Sequence, residues 1–289
     1  MQAARFKHFI AMDWSGARGI QQNGIALAFC SADSEAPELV RPGHRWSRGE
    51  VLDWLVHDLP PDSLVGMDLS PALPFVDTGA YFPGWDQSPG NARDLWRMVD
   101  ALSDDDEGLS VQSFVSHPEA SRHFRHGKGK CGDRFLPGAG RMRQTEHRQR
   151  LHRVTPTSCF NLVGAAQVGK SSLTGMRVLH RLDGRIPVWP FDPLPSQGSL
   201  IVEIYTSLAA REAEIPPGRS KMRDPHALDL ALAKLGSGPH SPIPEYHDHA
   251  TDALLTSAWL RRAAHRPELW SPKGLDEVAQ TEGWTFGVR

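Results

Sequence analysis

The sequence predicts an α/β domain built around a central sheet, because three apolar runs each contain a carboxylate near their end. These runs cover 8–16 with Asp13, 63–69 with Asp68, and 199–208 with Glu203. A short unbroken apolar run is typical of a strand that is buried on both faces, and such a strand lies at the centre of a sheet. Segments with helical periodicity alternate with these runs, as expected for helices that flank a sheet.

The chain begins with a predicted hairpin. After the first strand, a glycine turn leads into a second apolar run over 24–30, so Asp13 is expected at the mouth of the hairpin. A carboxylate there would lose several kcal/mol of hydration unless backbone donors, a basic group or a cation compensates its charge. A third strand is predicted over 39–46, at the edge of the sheet, because Pro42 cannot donate a ladder hydrogen bond.

Five helices are predicted from capping signals and apolar stripes. Ser47 and Glu50 have the spacing of a capping box, and Pro60 ends the apolar stripe that follows them. Asp224 and Pro225 are typical of an N-cap and of the first position of a helix. The predicted helices cover 47–59, 91–102, 176–182, 224–235 and 246–264.

The overall composition excludes several classes of protein. With 289 residues and a formal net charge of −2, the chain can bury a core and has no global attraction to nucleic acids or membranes. Its cysteines are widely spaced, fit no zinc-site pattern and suit a reducing compartment. We find no signal peptide and no membrane-spanning run, so we expect a cytoplasmic protein with no membrane partner.

We expect a single domain over 1–289, with an inserted loop-rich segment over about 76–160. This segment is rich in glycine, proline, histidine and arginine, and 122–153 is strongly basic. The basic stretch is either a solvated loop that pairs with acids elsewhere or a surface that contacts phosphates. In the second interpretation, Arg141 and Arg143 are candidate substrate contacts.

The predicted helix near the C-terminus carries two carboxylates on its apolar stripe. Asp248, Asp252, Leu255 and Trp259 lie at i, i+4, i+7 and i+11, which is one face of a helix. Both carboxylates are therefore expected to point toward the sheet. The positive end of the helix dipole accounts for Asp248, but it accounts poorly for Asp252.

The acids are expected to meet at one point, because three strands and one helix each bring a carboxylate there. The candidate catalytic residues are Asp13, Asp68, Glu203 and Asp252, with Asp248 as a fifth acid. Converging carboxylates repel one another, and cations between them keep them ionised. Oxygen ligands favour Mg²⁺ or Mn²⁺, and two such ions support phosphodiester hydrolysis. The candidate metal ligands are Asp13, which would bridge the ions, Asp68, Asp252 and Asp248, while Glu203 would act as a ligand or general base.

The order of these pieces resembles RNase H-like proteins: an acid on the first strand, a glycine turn, an antiparallel strand, an acid on a later central strand and an acidic final helix. Residues 248–254 also resemble the acidic helix of RuvC-type resolvases, where the acids are usually three residues apart rather than four. The chain is more closely similar to the DUF429 family of predicted RNase H-like nucleases. The similar pieces are Asp13, 67–71 (Met-Asp-Leu-Ser-Pro), 160–169, 203–205 (Glu-Ile-Tyr) and 252–254 (Asp-Ala-Leu).

This resemblance implies an RNase H-like fold, with a mixed sheet of five strands that begins as an antiparallel meander and is flanked by helices. It also implies a hydrolase, namely a nuclease that depends on Mg²⁺ or Mn²⁺ and acts on a nucleic acid. Whether that nucleic acid is RNA, DNA, a hybrid or a junction stays open.

Two other functions remain open. Residues 164–171 (Gly-Ala-Ala-Gln-Val-Gly-Lys-Ser) match the P-loop pattern, in which Lys170 would contact the terminal phosphate and Ser171 a magnesium ion. The turn after the first strand, which includes Ser15, resembles the phosphate turn of actin-like and sugar-kinase ATPases. A non-catalytic binding module of RNase H-like fold would tolerate loss of the acids. Ser15 and Lys170 are candidate substrate contacts.

Overall fold

The computed structural model describes residues 5–33, 36–151, 154–163, 168–216 and 222–289. In this part of the chain, a mixed sheet of six strands is flanked by helices. The strands are β1 (His8–Asp13), β2 (Ala26–Ser31), β3 (Glu38–Leu39), β4 (Ser63–Met67), β5 (Arg125–Gly127), β6 (Lys130–Cys131), β7 (Val188–Trp189) and β8 (Leu200–Glu203). The order in the sheet is β3-β2-β1-β4-β8-β7, and β5 and β6 form a separate hairpin.

The first strand lies inside the sheet, as its apolar sequence predicts. It pairs antiparallel with β2, which pairs antiparallel with β3, so the sheet begins with the expected meander. The strands β1, β4, β8 and β7 run parallel to one another. Because parallel strands run in one direction, the C-terminal ends of β1, β4 and β8 lie at the same edge of the sheet.

The expectation of five strands is wrong, because the sheet contains six. The additional strand, β7, has only two residues, and so short a segment carries no apolar periodicity. The predicted strand over 39–46 is also shorter than expected. It covers Glu38–Leu39 and ends before Pro42, which lacks the amide hydrogen that a ladder requires.

The helices are α1 (Arg48–His57), α2 (Ala92–Ala101), α3 (Gln112–Ser116), α4 (Gln144–Leu151), α5 (Val168–Arg181), α6 (Thr206–Glu212), α7 (Pro225–Lys234), α8 (Asp248–Ala263) and α9 (Leu275–Val278). The predicted capping box of α1 is confirmed: Glu50 N donates to Ser47 Oγ at 3.1 Å, and Ser47 N donates to Glu50 Oε2 at 2.7 Å. Asp224 caps α7, as predicted. Among the described residues, no helix combines the length and the apolar character that crossing a membrane requires.

Two apolar cores cover the two faces of the sheet, and alternate residues of β1 contribute to each. Ile10 and Met12 pack into the core that includes α1, α2 and α5. Phe9 and Ala11 pack into the core that includes α6, α7 and α8. This alternation explains why the sequence of β1 is apolar without interruption, since a strand with helices on both faces has no solvent-facing side.

The segment 76–160 contributes helices to the fold, and three arginines of its basic stretch are paired with acids. Arg122 Nη2 lies 2.7 Å from Asp133 Oδ2, and Arg141 Nη2 lies 2.5 Å from Asp77 Oδ1. Arg143 is fully buried and forms ion pairs with two glutamates. For these three arginines, the structure therefore agrees with the interpretation in which the basic stretch pairs with acids.

Candidate active site

Three neighbouring parallel strands each bring a carboxylate to one edge of the sheet. Asp13 ends β1, Asp68 follows β4 directly, and Glu203 ends β8. The register between the strands aligns them: Asp68 N donates to the carbonyl oxygen of Met12 at 2.9 Å, and Ile204 N donates to that of Met67 at 3.0 Å. The C-terminal edge of the sheet therefore presents three acids in a row.

Helix α8 adds three polar side chains to the same edge. It packs against β1 and β2 through a buried apolar face, and its first two turns carry Asp248, His249 and Asp252. Together with the three strand acids, these side chains line a cavity of about 410 Å³, which we call the acid cavity. The structure thus brings together all five acids that the sequence singles out.

The charge of Asp68 is poorly compensated. Burial, followed by the negative charges of Asp13 and Asp252, raises the pKa of Asp68 well above its usual value. Thr206 Oγ1 donates a hydrogen bond to Asp68 Oδ2 at 3.3 Å, which only partly opposes this effect. A raised pKa of this origin indicates that this part of the cavity carries more negative charge than the surrounding protein neutralises.

Glu203 has a different environment, because it is neutralised by a buried arginine. Arg143 Nη2 and Nη1 donate to Glu203 Oε1 and Oε2 at 2.6 and 2.8 Å, and Arg143 Nε donates to Glu146 Oε1 at 3.0 Å. Although burial alone would lower the pKa of Arg143, the two glutamates raise it well above its usual value. We call Arg143, Glu146 and Glu203 the paired cluster.

Residues 282–285 complete the paired cluster from a distant part of the chain. Thr285 Oγ1 donates to Glu203 Oε1 at 2.7 Å, and the carbonyl oxygen of Glu282 accepts from Arg143 Nη1 at 3.0 Å. The Glu282 carboxylate accepts in turn from Phe75 N at 2.7 Å and from Gln144 N at 2.7 Å. Both oxygens of Glu203 are therefore already engaged by protein donors.

The structure does not support Arg141 and Arg143 as substrate contacts. Arg143 uses its donors within the paired cluster, and Arg141 is buried against Asp77 and donates to the Tyr81 carbonyl oxygen at 2.7 Å. A buried guanidinium requires such partners because an unpaired buried charge is strongly unfavourable. Both arginines therefore stabilise the wall and the surroundings of the cavity.

Ser15 and Lys170 lie beside the acid cavity. Ser15 Oγ accepts a hydrogen bond from Ala17 N at 3.2 Å within the turn after β1. Lys170 is in the first turn of α5, and this turn touches the β1–β2 connection so closely that a Cβ on Gly16 would lie 2.3 Å from Ser171 N. Residues 164–167, which form the first half of the P-loop match, lie outside the described residues.

His249 is a site residue that the sequence analysis missed. Its Nδ1 lies 2.9 Å from Asp13 Oδ2, and this hydrogen bond raises the pKa of His249 above its usual value. The signal was present, because His249 precedes Asp252 by three residues and positions three apart share a helix face. The predicted apolar stripe of this helix includes Asp248 and Asp252 but not His249.

The donor set of the acid cavity fits a hard divalent cation by its chemistry. Asp13, Asp68 and Asp252 offer carboxylate oxygens, which suit Mg²⁺ and Mn²⁺, and a bound cation would offset the burial and the two neighbouring negative charges that raise the pKa of Asp68. The side chains do not form a complete coordination shell. Among the described residues, no three His, Cys, Asp or Glu side chains are arranged to hold a metal ion. Comparison of the chain with protein-family models, curated proteins and solved structures finds no match.

Proposed function

We propose that this protein is a divalent-metal-dependent nuclease with an RNase H-like architecture, which hydrolyses phosphodiester bonds at the acid cavity. The observation that carries the proposal is the convergence of Asp13, Asp68 and Asp252 from two parallel strands and one helix. Among the described residues, Asp13 has His249 as its partner at 2.9 Å and Asp68 has Thr206 at 3.3 Å, and neither partner is a guanidinium such as Arg143. A cation is the simplest partner for such a group, and Mg²⁺ or Mn²⁺ suits its oxygen ligands.

In this proposal, Asp13, Asp68 and Asp252 hold the metal, which when bound would polarise the phosphate and lower the pKa of a water molecule. His249 orients Asp13 through the 2.9 Å contact and can hold a proton at Nδ1. Asp248 lies at the rim, where Arg223 Nε is 3.5 Å from its Oδ1. Because Glu203 is bound by Arg143, we assign it to positioning the end of β8 rather than to metal binding or base catalysis.

Nucleotide hydrolysis at residues 164–171 receives less support. A P-loop follows a strand of the sheet, whereas the described residues 154–163 contain only an isolated bridge between Asn161 and Arg125. A non-catalytic binding module would not require three carboxylates to converge in one cavity. Each of these alternatives predicts a different outcome of the experiment below.

The test compares the wild-type protein with Asp68→Asn, with Lys170→Ala and with the control Asp53→Asn, whose carboxylate is exposed on α1. Binding of Mn²⁺ and of ATP with Mg²⁺ is measured by calorimetry, and cleavage by release from labelled RNA and DNA. We expect Mn²⁺ binding and cleavage by the wild type and the control, and a loss of at least about 100-fold in cleavage by Asp68→Asn. Tight ATP binding that Lys170→Ala abolishes, without Mn²⁺ binding, would establish the nucleotide-binding alternative instead.

A further inference from the structure

Two further cavities lie next to the acid cavity, one on each side of it. His249 lines both the acid cavity and a groove of about 550 Å³. This groove, which we call the wide groove, lies between the β2–β3 edge, residues 40–46 and residues 244–250. On the other side, two consecutive residues of α5 line two different cavities. Ser171 lines the acid cavity, and Lys170 lines a cavity of about 290 Å³ with residues 16–20, which we call the narrow cleft.

The narrow cleft contains two cations close to each other. Burial and the positive charge of Arg18 lower the pKa of Lys170. Arg18 Nη2 donates to Gln112 Oε1 at 3.0 Å, and Glu107 is an exposed acid of the lining. Within the described parts of the chain, neither cation forms an ion pair, in contrast to Arg122, Arg141 and Arg143.

The wide groove also carries basic side chains, of which His44 lies 3.2 Å from Glu50 and Arg45 forms no ion pair among the described residues. Its lining includes His44, Arg41, Arg45 and His247, together with one acid, Glu245. Arg41 is held by Asp58 at 3.0 Å and lies over the Trp46 ring at 5.0 Å from the ring centroid. The side chain of Arg45 is exposed.

We propose that one nucleic-acid strand crosses all three cavities, so that the narrow cleft and the wide groove hold phosphates on the two sides of the phosphodiester in the acid cavity. This inference rests on the proposed nuclease function. The acids of the central cavity repel a phosphate backbone in the absence of metal, and therefore the affinity for substrate must come from the flanks. Lysine and arginine beside a strand supply this affinity by displacing its counterions.

The inference specifies the substrate class as a polynucleotide rather than a nucleotide. A mononucleotide or a trinucleotide at the acid cavity is too short to engage both flanks, so it gains at most one of the two basic sites. A longer strand gains both. RNA and DNA share the backbone phosphates that the flanks would bind, and the two types of probe are therefore tested separately.

The experiment measures binding in EDTA, without metal, by fluorescence anisotropy of labelled single strands. The probes are RNA and DNA of about 16 nucleotides, with trinucleotides for comparison. The variants are Arg18→Ala with Lys170→Ala for the narrow cleft and Arg45→Ala for the wide groove. The matched control is Arg185→Ala, whose exposed side chain follows the opposite end of α5 from Lys170.

We expect each flank to contribute separately to long-strand binding. Affinity for the long probes should fall in the variants of both flanks, and the slope of log K against log salt should decrease by about 0.7 for each phosphate contact removed. Arg185→Ala should bind like the wild type, and trinucleotides should bind weakly to all proteins. Equal binding by wild type and flank variants, or an effect limited to one flank, would overturn the inference.

The outcome is separable from that of the nuclease proposal, because binding in EDTA requires neither metal nor cleavage. Strand binding that depends on both flanks, in a protein that cleaves nothing, would support the inference and contradict the nuclease. Cleavage that depends on Asp68, in a protein whose flank variants bind normally, would support the nuclease and contradict the inference. Circular dichroism melts of all variants confirm that each variant is folded.

Discussion

The acid cavity has two walls that carry carboxylates with different partners. In the paired cluster, two glutamates share one buried arginine, which satisfies them with hydrogen bonds of 2.6–3.0 Å. On the other wall, burial and the negative charges of Asp13 and Asp252 raise the pKa of Asp68, while Asp13 has His249 as its partner. A carboxylate at the end of a buried strand is therefore not by itself a candidate metal ligand. Its hydrogen-bond and ion-pair partners decide whether its charge is already neutralised by the protein.

The largest expected effect comes from breaking the paired wall. In Arg143→Met, Glu203 and Glu146 would stay buried without their counterion, and we expect the free energy of unfolding to fall by about 3–5 kcal/mol. Urea denaturation at neutral pH measures this change. The exposed Arg185→Met is the matched control and should stay within about 0.5 kcal/mol of the wild type. A loss below about 1 kcal/mol in Arg143→Met would show that the cluster is not desolvated as described.

A buried histidine provides a third case, because it is accommodated in its neutral form rather than by an ion pair. His123 is 3% exposed, packs beside the rings of Phe82 and Phe160, and its Nε2 has no hydrogen-bond partner among the described residues. Burial, and then the positive charges of Arg134 and Arg141, lower the pKa of His123 to about 4.

Because that pKa is lowered in the folded state, the unfolded chain binds the proton first, and stability is lost as the pH falls below the usual value near 6.5. Between pH about 7 and pH about 4.5, this group should remove about 2–3 kcal/mol of stability. His123→Phe keeps the ring and should flatten this part of the profile in urea denaturation. An identical pH dependence in the variant and the wild type would contradict the assignment.

Neutralising Asp68 should change the stability in the opposite direction from breaking the paired cluster. Asp68→Asn keeps the shape of the side chain and an acceptor for Thr206, but removes the repulsion from Asp13 and Asp252. We expect the metal-free protein to gain about 1 kcal/mol. Thermal melts in EDTA measure the gain, with Asp53→Asn as the control. A lower melting temperature in Asp68→Asn would mean that the charge of Asp68 stabilises the fold.

The smallest effect is expected at an exposed ion pair with similar geometry. Arg289 Nη2 lies 2.9 Å from Glu268 Oε1, and both side chains are about half exposed. Water and salt screen such a pair, so Glu268→Gln should change the free energy of unfolding by less than about 0.5 kcal/mol. Denaturation at low and high salt checks this value. A larger loss would show that distance, rather than burial, separates the strong pairs from the weak ones.

Local patterns in the sequence predicted the parts of the structure that neighbouring residues determine. The capping box at Ser47, the acids at the ends of β1, β4 and β8, and the cap of α7 are short-range signals, and all are present. The centre of β1 is visible because its residues 9–12 are all apolar. By contrast, β7 is too short to produce a pattern.

The pairing of charges could not be predicted, because it depends on residues that are far apart in the chain. Arg143 and Glu203 are separated by 60 residues, and His249 and Asp13 by 236. In the sequence, Arg143 was one arginine in a basic stretch, and nothing local distinguished it from Arg18 or Lys170. Only the fold shows that Arg143 is buried with two acids, while the other two line an open cleft.

The long sequence separations in the paired cluster also bear on the order of folding. Arg143 bonds to Glu282 across 139 residues and to Glu203 across 60. Contacts of this kind require large loops to close first, so they form late and contribute little to the transition state. Weakening them should therefore accelerate unfolding and leave the rate of refolding nearly unchanged. Chevron kinetics of Thr285→Val, which removes the 2.7 Å hydrogen bond to Glu203, would show this asymmetry between the two limbs.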